Sequence, residues 1–385
     1  MTEETREKKT KDSAVVTFLI GNGFDIGLGL KTKYADFVTA YLKQPSKTDV
    51  IVKLKKAINQ DADFWGDAEL AFGKLPFSTF GKDSHEVLKE CIADFSGSLS
   101  DYLRRESQRL HMPGKNIQSL FPEYLCSYYQ SLGDYAKLNE LGRMKQFKVL
   151  TVNIINFNYT ESIDKLLFSS DKMTLPGWGN VQVNFRPVCH VHGALSTRHT
   201  RLFGVNMASQ ITDAALSAAS RRLLVKSDVD RMAGCGLERA AKHMIDESDT
   251  VIIFGMSLGE TDKLWWEYLV QYLKYNENHR ICLIPYVNNA RAATSVVEEA
   301  EWAELERSQF CRAVGIQMEN RGNPFSGIGE WVERIDVLTR GPHFDPDGHE
   351  TFCDPFQLTW FGKKLVTDRP QSPASPSPSS SSSNP

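Results

Sequence analysis

The 385-residue sequence has no apolar run close to the roughly 18 residues that a membrane-spanning helix needs. Residues 1–13 are charged and no signal-peptide core follows them, so no secretory signal is expected. Neither charge sign is in excess: 45 lysines and arginines oppose 48 aspartates and glutamates, giving a net charge of −3. Membrane and nucleic-acid partners are therefore not expected. Two local basic clusters, RRESQR (104–109) and SRRLLVK (220–226), are interpreted as solvated helix faces.

Cysteine is scarce and scattered. The seven cysteines are odd in number and form no Cys-x-x-Cys pair, which argues against a disulfide framework and against a four-cysteine zinc site. Several lie in apolar runs, where a thiol behaves as a small hydrophobic group. A cytoplasmic location is therefore expected, because thiols stay reduced there.

An apolar segment near the start is followed by glycines and then by a helical pattern. Residues 14–20, AVVTFLI, form a β-branched run that is typical of a parallel strand buried on both faces. Four glycines lie within 21–29, and YADFVTAYLKQ (34–44) carries apolar residues at helical spacing. These three segments predict a βα unit.

The rest of the pattern predicts a Rossmann-like open parallel sheet, because strands alternate with helices. Within about 45–145 the apolar residues recur with a period near 3.6, and this segment is too long for an ordinary crossover. It therefore predicts a large helical insertion after the first βα unit. Further strands are expected within 147–160, 188–193, 200–206, 249–262 and 280–289.

The chain is expected to contain one α/β domain, at 14–365, which includes the helical insertion. Residues 1–13 are predicted to be a disordered N-terminus. The tail at 366–385 is rich in proline and serine and is also predicted to be disordered, because it cannot bury enough apolar surface to offset its chain entropy.

Polar or glycine residues follow each predicted strand. Ligands bind at the carboxyl ends of strands in open α/β sheets, so these residues are expected to line one cleft. They are Gly21, Asn22 and Gly23, then Asn158, Tyr159 and Thr160, then His190 and His192, then Gly255, Ser257 and Leu258, and finally Asn288.

The first glycine segment has two interpretations. Glycines allow backbone amides to approach an anion at the start of a helix, as in a phosphate cradle. The spacing of Gly21, Gly23, Gly27 and Gly29 matches neither the G-x-G-x-x-G nor the P-loop pattern. A tight strand-to-helix turn capped by Asp25 is the alternative.

The other polar residues are open to similar alternatives. Asn158 could hold a ribose or a water molecule, or satisfy backbone groups of its own turn. His192 could act as a general base, or be a hydrogen-bonded structural histidine. His190 and His192 would share a strand face, but a third metal ligand at a recognisable spacing is missing. Ser257 and Asp262 could belong to a helix N-cap.

Four motifs occur along the chain in this order: GNGFD (21–25) followed by Gly29-Leu30, FNYT (157–160), HVHG (190–193) and GMSLGETD (255–262). Together they resemble the AbiH abortive-infection family of bacterial phage-defence proteins. Trp65 and Glu69, in WGDAELAFG, also resemble that family's pattern, and they are expected to form part of the wall of the site. The resemblance covers about 14–290.

AbiH proteins in turn resemble the sirtuin fold, which binds NAD on a Rossmann-like sheet. GNGFD is similar to the sirtuin G-A-G-x-S element, and Asn158 and His192 match the catalytic asparagine and histidine. GMSL is similar to the sirtuin G-T-S-L, and Asn288 matches a nucleoside contact. The sirtuin zinc module is missing, so no zinc and no protein deacetylation are expected.

Two substitutions depart from the sirtuin pattern. Thr160 stands where sirtuins carry an aspartate that contacts nicotinamide, and Asp25 replaces a serine. A carboxylate at position 25 could stabilise an oxocarbenium-like charge, or cap the helix.

The resemblance implies an antiphage effector that hydrolyses NAD at the nicotinamide–ribose bond, an NAD glycohydrolase, with Asn158, His192 and Asp25 as catalytic residues. It also implies a phage-derived trigger, and it is compatible with a homo-oligomer. Two alternatives are a non-catalytic sensor of NAD or ADP-ribose and a nuclease or other nucleotide-processing toxin. The residues expected to bind the nucleotide are Gly21, Asn22, Gly23, Phe24, Gly29, Tyr159, Thr160, Gly255, Ser257, Leu258, Asp262 and Asn288.

Overall fold

A computed structural model gives the structure of the chain. It describes residues 12–60, 63–111, 115–126, 128–129, 132, 140, 142, 146–167, 172–174, 181–197, 201–284, 296–316 and 330–338. Three subjects of prediction lie outside these residues: the limit between domain and tail at 365, most of the N-terminal segment, and Asn288.

One eight-stranded sheet forms the centre of the fold, and it confirms the predicted Rossmann-like open sheet. Its strands are β1 (Ser13–Ile20), β2 (Val149–Asn156), β3 (Lys172–Thr174), β4 (Gln182–Phe185), β5 (Cys189–His190), β6 (Thr250–Phe254), β7 (Arg280–Ile284) and β8 (Ile335–Val337). The order is β3-β4-β2-β1-β6-β7-β8, and β5 also pairs with β2. Seven strands run parallel, while β3 pairs antiparallel with β4 at the edge.

The strand order creates a switch point between β1 and β6. From β1 the chain adds β2, β4 and β5 on one side, and it then returns to add β6, β7 and β8 on the other. Strand β1 is therefore central and almost wholly buried, as its apolar composition requires. At such a switch point the connections after neighbouring strands diverge, which leaves a crevice at their carboxyl ends.

Twelve described α-helices surround the sheet. They are α1 (Asn22–Gly27), α2 (Tyr34–Leu42), α3 (Asp49–Gln60), α4 (Ala68–Gly73), α5 (Ser84–Ser107), α6 (Lys115–Cys126), α7 (Ser162–Leu167), α8 (Ala218–Arg222), α9 (Lys226–Ala233), α10 (Leu237–Asp246), α11 (Lys263–Tyr275) and α12 (Val296–Ala313). Within the part of the chain that the structure describes, no helix has both the length and the apolarity to cross a bilayer.

The predicted helical insertion divides between two hydrophobic cores. Helices α2 to α5 share an aromatic cluster with Leu195 and with residues within 203–225. Phe72, Phe95 and Phe203 lie at its centre with ring centroids 5.2–5.3 Å apart. Phe121 and Tyr124 of α6 instead belong to a core on one face of the sheet. A third core, which includes Trp265 and Trp266, covers the opposite face.

One strand prediction needs correction. The described residues 201–206 form no strand: Val205 makes only an isolated bridge with Val225, and a Cβ at Gly204 would collide with the Leu224 carbonyl oxygen. Phe203 and Val205 are apolar because they are buried in the aromatic cluster, so the apolar pattern here did not indicate a strand. Strand β1 begins at Ser13, one residue before the predicted run.

The turns that follow β1 and β6 are in direct backbone contact. The Gly21 amide donates to the Phe254 carbonyl at 2.9 Å, and the Gly23 amide donates to the Gly255 carbonyl at 2.7 Å. A Cβ at Gly21 would lie 2.7 Å from the Gly255 carbonyl oxygen. Glycine is therefore required here by close packing of two turns at the switch point.

Substituting alanine for Gly255 should test this contact, with Gly234 as a matched control. Both glycines have left-handed φ, 62° and 67°. A Cβ at Gly234 meets no atom within 4 Å, but one at Gly255 would lie 2.8 Å from the Phe24 amide nitrogen. We expect Gly234→Ala to cost about 1–2 kcal/mol, and Gly255→Ala clearly more, in urea unfolding. Equal losses would contradict the packing explanation.

Candidate functional site

A cavity of about 630 Å³ opens at the carboxyl edge of the sheet, at the switch point. Its walls come from the turns after β1, β2, β5 and β6, and from helices of the insertion. The predicted site residues that line it are Gly21, Asn22, Gly23, Asp25, Asn158, Tyr159, Thr160, His192, Gly255, Ser257, Leu258 and Asp262. Residues far apart in sequence thus form one site, as their positions at strand ends predicted.

Two predicted binding residues do not line the cavity. The Phe24 side chain is fully buried and packs edge-to-face on Phe121 and Phe254, with ring centroids 6.0 Å and 5.6 Å away. Gly29 lies in the exposed loop after α1, where its φ of 88° explains the glycine. Phe24 is a core residue because its position in α1 faces the sheet.

Two glycine amides of the predicted phosphate cradle are used within the protein. Gly21 and Gly23 donate their amides to the turn after β6, as described above. Helix α1 begins at Asn22 with Gly21 as its N-cap, so the alternative prediction that Asp25 caps this helix is wrong.

Asn22 clamps the loop that follows α1. Its amide nitrogen donates to the Thr32 carbonyl at 3.0 Å, and the Thr32 hydroxyl donates to its amide oxygen at 2.5 Å. Both polar ends of the Asn22 side chain are thereby used. Its contribution to the cavity is to hold the wall at Thr32 in place.

Asp25 lies in the cavity wall with its side chain fully buried. The Thr160 hydroxyl donates to its Oδ2 at 2.5 Å, while Oδ1 has no hydrogen-bond partner. Burial raises the pKa of Asp25 to about 6, against the opposing effects of the Thr160 and Ser162 hydroxyls and the Lys165 charge. The two residues that depart from the sirtuin pattern, Asp25 and Thr160, are therefore hydrogen-bonded to each other.

Asn158 satisfies backbone groups, as one of its two interpretations predicted, and it also lines the cavity. Its amide nitrogen donates to the Gly21 carbonyl at 3.0 Å, which ties the turn after β2 to the turn after β1. The Asn156 side chain supports that turn by accepting from the Asn158 amide at 2.9 Å. The half-buried Asn158 side chain lines the cavity, with its amide oxygen as the remaining polar atom.

His192 lies at the back of the cavity. Its ring is buried and packs edge-to-face on Phe157, with ring centroids 5.4 Å apart. Burial and the positive charge of Lys226 hold its pKa well below the ordinary histidine value, although the Phe157 backbone opposes them. The imidazole is therefore neutral near pH 7, and can accept a proton or a hydrogen bond.

His190 does not join His192. Its Nε2 lies 3.1 Å from Asp164 Oδ2, outside the cavity. Among the described residues, no group of three or more histidines, cysteines, aspartates and glutamates could hold a metal ion.

A buried ion pair in the cavity wall was missed by the sequence analysis. Lys226 Nζ lies 2.6 Å from Glu69 Oε2, and the lysine side chain is 3% exposed. Lys226 belongs to the SRRLLVK cluster, and the prediction of a solvated face is wrong for this residue. The tyrosine hydroxyl of Tyr159 lies 3.3 Å from Glu69 Oε1 and donates to the Leu202 carbonyl at 2.7 Å.

The cavity lining is rich in carboxylates. Glu69 is joined by Asp67, which caps α4 by accepting from the Leu70 amide at 3.1 Å, and by Asp262. Burial raises the pKa values of Glu69 and Asp262, while Lys226 opposes both shifts. Asp262 stands at the N-cap of α11, as predicted, but its side chain accepts from Asn206 instead of capping.

The predicted pair of wall residues from the insertion is half correct. Glu69 lines the cavity, whereas Trp65 is buried among Phe72 and Phe95 in the insertion core and does not.

These features define a Rossmann-like α/β protein with a carboxylate-lined cavity at the switch point of its sheet. Its sequence matches the model of the family described as Bacteriophage abortive infection AbiH over residues 17–286. The chain belongs to this family. No curated protein is significantly similar to it.

Replacing Asp25 should stabilise the protein at neutral pH. Its raised pKa means that the folded state binds a proton between about pH 4 and 6 that the unfolded state has already lost, so stability falls as pH rises through this window. We expect Asp25→Asn to gain up to about 3 kcal/mol at pH 7.5 and nothing at pH 4. Denaturant unfolding at both pH values measures this difference. Asp101→Asn, at an exposed carboxylate on α5, is the control, and an equal gain there would contradict the burial explanation.

Breaking the ion pair should be costly, and removing both of its charges should not. Lys226→Met leaves a buried Glu69 carboxylate without its partner, and we expect a loss of about 3–5 kcal/mol. The double variant Glu69→Gln/Lys226→Met should recover most of that loss in the same unfolding assay. A double variant as unstable as Lys226→Met would show that the lysine acts through packing alone.

Proposed function

We propose that the chain is an antiphage abortive-infection effector whose cavity binds NAD and hydrolyses its nicotinamide–ribose bond. Membership of the AbiH family supports the defence role. The observation that carries the chemistry is the arrangement of the cavity, where a neutral His192 and the Asn158 amide share one site with several carboxylates, Glu69, Asp67 and Asp262 among them. A volume of about 630 Å³ is in the range of small-molecule sites.

The carboxylates suit the charge that this reaction develops. Cleavage of the nicotinamide–ribose bond leaves positive charge on the ribose, and the bonding pair leaves with nicotinamide. Glu69, Asp67 and Asp262 line the cavity and would stabilise that charge without reorganisation. Asp25 would add its charge from the cavity wall, where its carboxylate is buried and accepts a hydrogen bond from Thr160.

His192 and Asn158 suit the attacking water. As the water oxygen bonds to the ribose carbon, one of its protons must leave, and a neutral imidazole at the cavity wall can accept it. The Asn158 amide nitrogen is already bonded to Gly21, so its amide oxygen would orient a ribose hydroxyl or the water.

The start of α2 is the proposed place for the phosphates. Lys33, Tyr34 and Ala35 line the cavity, and Lys33 at the N-cap makes no side-chain capping bond. The first amides of this nine-residue helix and the Lys33 ammonium would favour an anion there. The glycine turn would then shape the cavity floor.

A binding module without turnover is the second candidate. One observation favours it: Thr160 stands where the sirtuin pattern carries an acidic residue, and the nearby Asp25 carboxylate is fully buried and hydrogen-bonded to Thr160. Such a module would bind NAD or ADP-ribose as a sensor.

Two matched histidine variants test the proposal. We expect the purified protein to release nicotinamide from NAD, and His192→Gln to be slower by about 100-fold or more. His190→Gln, which removes an imidazole outside the cavity, should stay active. Chromatography of nicotinamide measures the rate, and thermal unfolding checks that both variants fold.

Three results would decide against hydrolysis. One is no nicotinamide release with or without extract of phage-infected cells. Another is equal activity of the two histidine variants. NAD binding by calorimetry without any product would select the sensor instead.

A further inference from the structure

His192 lies between two cavities. It lines the large cavity and also a small chamber of about 20 Å³ on its other side. Lys226 lines the chamber but not the large cavity. The lysine therefore acts on the large cavity only through residues of its wall, and a ligand in that cavity would not contact the lysine.

Lys226 occupies a position that helix energetics disfavour. It is the first residue of α9, at the positive end of the helix dipole, and it is almost fully buried. A buried ammonium at that position has to be compensated elsewhere. The compensating group is the Glu69 carboxylate at 2.6 Å, which arrives from α4 and lines the large cavity.

The other charged groups around the chamber are already paired. Asp230 accepts from the Leu237 and Glu238 amides at the start of α10, at 3.1 and 3.3 Å. Glu238 and Lys242 form their own ion pair at 2.5 Å. On the opposite side, the acidic residues that line the large cavity are Asp25, Asp67, Glu69, Asp262 and Glu306.

We propose that Lys226 is a positioning residue of the site: its buried ammonium holds the Glu69 carboxylate at the cavity wall and keeps a second positive charge off His192. The catalytic consequence rests on the proposed function, because a histidine that stays neutral can accept a proton from water. The electrostatic effect itself needs no substrate. The directions of the pKa shifts support this role. Lys226 lowers the pKa of His192, and it opposes the effect of burial, which raises the pKa values of Glu69 and Asp262.

The test is the charge state of His192 in the ligand-free protein. Protein labelled with ¹⁵N-histidine is titrated from pH 5 to 8, and long-range ¹H–¹⁵N spectra separate neutral from charged imidazoles. His192→Gln identifies the signal. We expect Lys226→Met to move the His192 titration to higher pH, and Lys226→Arg to keep it close to wild type, because a guanidinium retains the charge.

Glu69→Gln is the matched control, because it breaks the same ion pair from the other side. It keeps the ammonium, so it should not raise the His192 midpoint. Should Lys226→Met fail to fold, the double variant Glu69→Gln/Lys226→Met takes its place with the same expected upward shift. An unmoved midpoint without Lys226, or an equal rise in Glu69→Gln, would overturn the proposal. Neither result depends on whether NAD is cleaved.

Discussion

The contact between the turns after β1 and β6 is the constraint on which the site depends. Two glycine amides bond to the carbonyls of the neighbouring turn, and no side chain fits between the backbones. This contact closes the floor of the crevice at the switch point and fixes the direction of α1. The Gly21 carbonyl then accepts from Asn158, so the turn after β2 takes its position from the same place. Three strand ends thus have fixed geometry before any ligand arrives.

Several groups of the site lower the stability of the folded state, and the rest of the fold has to offset them. A buried carboxylate with an open oxygen, a lysine at a helix start and several carboxylates around one cavity are all unfavourable arrangements. Three apolar cores offset them. Natural proteins retain such local conflicts mainly where a ligand or a reaction requires them. The concentration of these conflicts around one cavity is therefore itself an argument for function.

Much of the fold followed from local pattern. The β-branched run at 14–20 and the helical spacing at 34–44 predicted the first βα unit, and the polar strand ends predicted which residues meet. Long-range partners were not predictable in this way. Nothing near Lys226 indicates that its partner is Glu69, 157 positions away. The role of Gly21 was misjudged for a related reason, because a glycine needed for a phosphate and one needed for a neighbouring turn have the same local sequence. Phe24 faces the core, although its motif suggested the ligand.

The position of the cavity among the three hydrophobic cores has a mechanical consequence. The aromatic core of α2 to α5 lies on one side of it, and the cores on the sheet lie on the other. The cavity between them is lined by polar side chains such as Glu69 and Asp67 and by apolar ones such as Leu99 and Leu258. A ligand that fills the cavity would contact the helical insertion and the turns of the sheet together. Its binding would therefore stabilise both parts of the folded chain at once.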